Sequence, residues 1–172
     1  MVDNSPHVQL AMTAIREYVE LGRVLRLQKA DLSDELLTPS ASFVSLKKAG
    51  DLRGCIGTVE PVKSTLAEEI VMNGISAATK DPRFPPIQPY ELDSLVCSVD
   101  VLFPPEEIPE QCMLDPLKYG VIVQCGFRRG LLLPNLEGID SIEMQVDIAR
   151  RKASISPNEQ VKLYRFEVKR YY

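Results

Sequence analysis

Val8, Met12, Ile15 and Val19 recur at helical spacing near the start of the chain, giving a first helix one apolar face. Ser5-Pro6 reads as an N-cap with proline at the first helical position, and Gly22 as the stop, so the helix is expected at about residues 6–21. Gln28 to Ser40 is polar and punctuated and reads as a connection. The apolar period then changes to two. Phe43-Val44-Ser45-Leu46 reads as a strand, Lys48-Ala49-Gly50-Asp51 as a turn, and Leu52 to Val59 as the antiparallel return. Thr65 to Glu68 has capping-box spacing, and Leu66, Ile70, Gly74 and Ala77 mark one face of a second helix. Asp81-Pro82 ends it, because proline pushes the residue before it out of the α region. The run Arg83-Phe84-Pro85-Pro86-Ile87-Gln88-Pro89 holds too many prolines for a helix or a central strand. Leu95, Cys97, Val99, Val101 and Phe103 alternate as in a half-buried strand, which Pro104-Pro105 stops.

The same order then returns. Val121 to Cys125 reads as a strand, Gly126-Phe127-Arg128 as a turn and Gly130 to Leu133 as the return strand. Asp140 to Glu143 has capping-box spacing and opens a helix through Ala149 and Ala153; Leu163 to Val168 is the last strand. Both halves place Arg-Gly at the start of the second hairpin arm, Arg53-Gly54 and Arg129-Gly130. The pattern predicts an α+β fold as one domain over residues 1–172, with pseudo-repeats at about 41–103 and 119–170.

Charge and composition narrow the function. A chain of 172 residues can bury a core without staples. A net charge of −4 and a pI near 5.1 disfavour nucleic acid and acidic membranes, which call for a basic face. The basic clusters at Arg128-Arg129 and Arg150-Arg151-Lys152 read first as solvated faces, so RNA binding ranks last. The N-terminal residues are polar and no apolar run reaches membrane-spanning length, so a cytoplasmic protein is expected. The cysteines Cys55, Cys97, Cys112 and Cys125 are far apart, with no C-x-x-C pair, and are read as reduced thiols. With His7 as the one histidine, no metal site is expected, and no phosphate-loop or dinucleotide fingerprint calls for a cofactor.

The most informative segment is Leu52-Arg53-Gly54-Cys55-Ile56-Gly57-Thr58. In a strand, Arg53 and Cys55 share a face, and a glycine leaves the backbone approachable. This string resembles the hallmark of the AMMECR family. The resemblance extends to Asp81-Pro82-Arg83-Phe84-Pro85-Pro86, Glu91-Leu92, Gly130-Leu131-Leu132-Leu133-Pro134 and Lys152-Ala153, from about Val8 to Tyr171. With Leu163-Tyr164-Arg165-Phe166 the chain is similar to the prokaryotic branch called AmmeMemoRadiSam system protein A. The resemblance implies two repeats around a single, mostly antiparallel, barrel-like sheet. It also implies association with a Memo-like protein and a radical-SAM enzyme, but no reaction. Where eukaryotic members tend to carry His-Gly this chain has Tyr119-Gly120, which removes a histidine from the candidate bases.

The residues themselves nominate a site for an anionic small molecule between the hallmark strand and the proline loop. Arg53 and Arg83 are fork-shaped donors suited to carboxylate or phosphate. Asp81 would orient them, Gly54 and Gly57 would admit the ligand, and Thr58 would add a hydroxyl. Cys55 would line the site or act as a nucleophile, with Asp81 or Asp100 as base because His7 is remote in sequence. Backbone N–H groups at Ser64 and Thr65, opening the second helix, would face the same anion. An internal Asp81 ion pair with Arg53 or Arg83 is the competing structural reading. The functional alternative is a non-catalytic interaction module for the Memo-like and radical-SAM partners.

Overall fold

Residues 5–172 are described in the computed structural model. Pro6–Leu21 form helix α1, with Ser5 Oγ accepting the Val8 N–H and Gly22 closing the helix at a φ of 67°. The connection that follows is more ordered than its polarity suggests. It holds a 3-10 turn at Lys29–Asp31 and a one-turn helix α2 at Asp34–Leu37, capped by Ser33. Strands β1 (Ala41–Lys48) and β2 (Asp51–Gly57) pair antiparallel. Ala49 and Gly50 both take positive φ between them, as a two-residue hairpin turn requires.

Helix α3 runs from Leu66 to Thr79, and Thr65 Oγ1 accepts the Glu68 N–H as its spacing predicts. The Glu68 carboxylate, however, accepts from Ser64 and not from Thr65. A 3-10 segment at Pro89–Ser94 leads into β3, Leu95–Leu102. Then come β4 (Glu106–Ile108), β5 (Gly120–Cys125), β6 (Arg128–Leu132), helix α4 (Ile142–Lys152), β7 (Lys162–Phe166) and β8 (Val168–Tyr171). Three expectations shift here. The cap of α4 is Ser141, whose Oγ accepts the Met144 N–H at 3.1 Å, because Asp140 lies one residue outside the first turn. The expected last strand is two, parted at Glu167. Strand β4, three residues long, is too short to show a period.

The strands form two four-stranded, mostly antiparallel sheets, β2-β1-β3-β8 and β4-β7-β5-β6. They do not form the one barrel-like sheet implied by resemblance, and no barrel closes among the described residues. Each sheet ends in two free edges, β2 and β8 in one, β4 and β6 in the other.

The chain divides into two compact units, one running to Val101 and including Lys169–Tyr172, the other Leu102–Val168. In the first, Val44 and Leu46 of β1, Ile70 and Ala77 of α3, Ile15 of α1 and Val99 of β3 share one apolar core. In the second, Val121, Val123, Leu132, Val146 and Ala149 do the same for β5, β6 and α4. No helix among the described residues is long and apolar enough to cross a membrane.

Candidate functional site

The hallmark string lies on β2, an edge strand whose register pairs Leu46 with Gly54, Ser45 with Cys55 and Phe43 with Gly57. A bulge between Leu46 and Lys47 interrupts the ladder beside Arg53. Gly54 turns toward α3: a Cβ there would stand 2.2 Å from the Ala77 carbonyl oxygen. Alternation then puts Arg53 and Cys55 on the opposite face. At Gly57 a Cβ would stand 2.2 Å from the Phe43 ring. The room at both glycines, expected to admit a ligand, is filled by the chain's own helix and ring.

Arg53 is held by Glu91. Its Nε and Nη2 donate to the two carboxylate oxygens at 3.1 and 3.0 Å, and Nη1 donates to the Pro85 carbonyl at 2.9 Å. Lys48 Nζ and the Gln88 N–H reach the same carboxylate at 2.9 and 3.0 Å. Glu91 is 5% exposed, and the Arg53 guanidinium first, then the Gln88 N–H and Lys48, hold its carboxyl down at about 2. Glu91 was not among the candidates. The signal was present in Gln88-Pro89-Tyr90-Glu91, which has capping-box spacing with proline at the first helical position.

Arg83 is held by Asp81, which orients it and not Arg53. Arg83 Nε and Nη2 donate to the carboxylate at 3.0 and 2.7 Å, and the Arg83 N–H adds a third bond at 3.1 Å. Asp81 also accepts the Cys55 N–H at 2.8 Å, while Arg83 Nη2 lies 3.4 Å from the Cys55 carbonyl oxygen. The Arg83 guanidinium, aided by the two backbone donors, keeps the Asp81 carboxyl far below its usual range despite burial. The pair thus meets both polar groups of Cys55 on the open edge of β2, where a neighbouring strand would otherwise sit. The expected internal pair exists, and Glu91 has taken the second arginine.

The thiol of Cys55 faces Ser45 Oγ across the strand pair at 3.1 Å. Asp81 meets Cys55 through the backbone, so it is not placed as a base on sulfur. Asp100 is bonded to Arg170 at 2.7 and 2.8 Å. His7 is buried against the Tyr171 ring at 3.7 Å and lies 3.8 Å from Glu35.

Thr58 donates its hydroxyl to Glu69, a wholly buried carboxylate that also accepts the Val62 and Lys63 N–H groups. Asn73 Nδ2 joins Thr58 to the Ser42 backbone and hydroxyl, tying the end of β2 to α3. Of the two donors expected to face an anion at the start of α3, the Ser64 N–H is given to the chain's own Glu68 carboxylate. Among the described residues no group of histidine, cysteine and carboxylate side chains could hold a metal ion.

The AMMECR1 family profile matches residues 8–171. The chain belongs to the AMMECR1 family. It is 48% identical to a protein of Thermotoga maritima over 173 residues, covering 99% of each. It is 44% identical to a protein of Clostridium acetobutylicum over 170 residues, 98% of this chain but only 36% of that one. The crystal structure of an uncharacterised protein from Pyrococcus horikoshii superposes with a TM-score of 0.87 at 34% identity, covering 95% of this chain and 88% of that one. The family gives the fold and a shared sequence, and no reaction comes with it.

Proposed function

We propose that this chain is a protein-interaction module, an adaptor in the cytoplasm for a Memo-like protein and a radical-SAM enzyme. One observation carries the reading: the charged side chains of the hallmark site are spent on each other, Arg53 on Glu91 and Arg83 on Asp81. A clamp of this kind stiffens the proline loop against β2, and among the described residues the thiol faces the Ser45 hydroxyl while Asp81 is turned to the Cys55 backbone. A preformed surface lowers the ordering cost of binding a partner. The Clostridium relative supports the same reading, since the matched module makes up 36% of that longer chain. Co-expression with the Memo-like protein and the radical-SAM enzyme of the same organism, followed by size-exclusion chromatography, tests it. A stoichiometric complex that survives Cys55→Ala and Arg83→Lys is expected. Separate elution of all three proteins overturns it.

A second reading rests on Arg83. Its side chain is 54% exposed, and Nη1 makes no hydrogen bond among the described residues. An anionic small molecule could be held there, with Cys55 beside it as the group that lines the site or reacts. Thermal-shift screening of phosphates and carboxylates against wild type and Arg83→Lys separates the readings. A saturable shift lost in the variant favours the small molecule.

A further inference from the structure

Between α1 and the 3-10 turn at Lys29–Asp31, residues 23–28 run without helix, strand or turn. Among the described residues, no hydrogen bond engages the backbone N–H or C=O of Val24, Leu25, Arg26 or Leu27. The side chains nevertheless alternate: Val24 and Arg26 are exposed, while Leu25 and Leu27 are half-buried against Ala14, Val71 and Ile75. That alternation is what an extended chain shows when one face is packed. The segment is anchored like a strand, and among the described residues no strand pairs with it.

A hollow of about 570 Å³ adjoins it, walled chiefly by Tyr18, Leu25, Leu27, Val71, Met72 and Ile75; Lys63, Lys80 and Glu68 also line it, and Glu68 accepts the Ser64 N–H. Arg26 borders a second hollow on the same segment, beside Glu17 and Arg23, which pair with each other. The side chains of Arg26, Lys63 and Lys80 are exposed and make no ion pair among the described residues, although the chain as a whole carries a charge of −4. Unpaired backbone and a largely apolar hollow with two uncommitted lysines meet along one segment, and a third uncommitted cation, Arg26, stands on that segment beside the neighbouring hollow. Backbone pairing supplies affinity in strand addition, and pockets for alternate side chains supply selectivity.

We infer that residues 24–27 are a docking edge for an extended segment of a partner protein in which apolar and acidic residues alternate. The partner's backbone pairs with this edge, its apolar side chains enter the hollow, and its carboxylates meet Arg26, Lys63 and Lys80. This deepens the adaptor reading and rests on it. A second copy of this chain is a poorer occupant, because it would bring the same cations against themselves.

Amide hydrogen exchange on the full chain tests the inference, with the synthetic peptides EVEIEVE and KVKIKVK as probes, both acetylated and amidated. In the free protein the amides of residues 24–27 exchange at nearly unfolded-chain rates. The acidic peptide slows them saturably by about tenfold or more, and the basic peptide does not. The triple variant R26E/K63E/K80E reverses that preference, with its circular dichroism unchanged. The inference is overturned if these amides are already slow without peptide, as self-association would make them. It is equally overturned if the acidic peptide leaves them fast, or if both peptides slow them alike. In a complex with the Memo-like or radical-SAM protein, protection elsewhere with residues 24–27 still open sinks this edge and leaves the adaptor standing. Absence of any complex sinks the adaptor reading itself.

Discussion

Asp81 accepts the backbone N–H of Cys55 at 2.8 Å, from a loop 26 residues further along the chain. Arg83, bonded to the same carboxylate, lies against the Cys55 carbonyl, so one ion pair satisfies the donor and the acceptor of an edge residue. An open strand edge invites unwanted pairing, and side chains that imitate a neighbouring strand remove the invitation. The two longest motifs of the family resemblance are therefore the two halves of one contact.

Asp81→Ala removes that contact and leaves Arg83 without its partner. A loss of about 3 kcal/mol is expected, because the buried carboxylate takes with it its bonds to the half-exposed Arg83 guanidinium and to two backbone N–H groups. In a chain of this size it lowers the melting temperature by about 6–12 °C. Urea unfolding with an unchanged slope measures it, and the Cys55 amide should exchange faster. The double variant Asp81→Ala/Arg83→Ala should cost less than the sum of the singles, because the two act on one strand edge. A cost under about 0.5 kcal/mol for Asp81→Ala would show that the edge does not need its cap.

Glu91 predicts a response to acid. Its folded carboxyl sits at about 2 through Arg53, Gln88 and Lys48, below an unfolded value of about 4.3. A lowered carboxylate contributes stability that is complete above the unfolded value and is lost as the carboxylate protonates on the way down. Wild type should therefore weaken as pH falls from about 5 to about 2. Glu91→Gln should be less stable at pH 7 by about 2–4 kcal/mol, since Arg53 is left half without a partner, and should lose less on acidification. Thermal melts of both proteins across that window check the sign. An equal acid slope in the variant would remove Glu91 from the account.

Gly54 and Gly57 separate by what stands against them. At Gly54 a methyl group meets the α3 backbone at Ala77; at Gly57 it meets the Phe43 ring, which can turn. Gly54→Ala should cost about 3 kcal/mol or more, and Gly57→Ala about 1–2 kcal/mol. Chemical denaturation of the pair reads the order directly. Equal costs would mean that the helix yields as readily as a side chain.

How much of this the sequence revealed depended on whether the signal was local. Ser5-Pro6, Thr65 and Asp81-Pro82 bound α1 and α3 through caps and proline sterics that act within a turn, and those bounds hold. The alternation from Leu95 located β3 for the same reason. The Asp81–Arg83 pair was legible because its members sit two residues apart. The Arg53–Glu91 pair was not, since 38 residues separate them and no period links the two. The strand β4 and helix α2 are shorter than the windows in which a period can be seen. Closure of the sheet was inferred from kinship alone, and the pairing of β3 with β8 and of β7 with β4 leaves edges free in its place. In one dimension Arg53 and Cys55 share a face of the strand; the Glu91 carboxylate that neutralises the cation arrives only with the fold.

The thiols offer a last test, one that sets burial against a neighbouring charge. Cys97 is 6% exposed, and burial pushes its thiol up to about 12. Cys112 is exposed, with its sulfur 3.3 Å from Glu110 Oε2, and that carboxylate, chiefly by hydrogen bonding, raises its thiol as well. Alkylation needs thiolate and access together. Iodoacetamide should leave Cys97 untouched in the folded protein and reach it only on unfolding in urea. Cys112 should react while the protein is folded, yet more slowly at pH 7 than an ordinary exposed thiol, with a rate that climbs above the usual midpoint of about 8.5. Glu110→Gln removes the charge and weakens the bond, so it should raise the Cys112 rate at neutral pH and leave Cys97 inert. Peptide-level mass spectrometry resolves the two sites in one time course. An unchanged Cys112 rate in the variant would mean that Glu110 does not govern that sulfur, and labelling of Cys97 without denaturant would mean that the β3 side of the core opens on the timescale of the reagent.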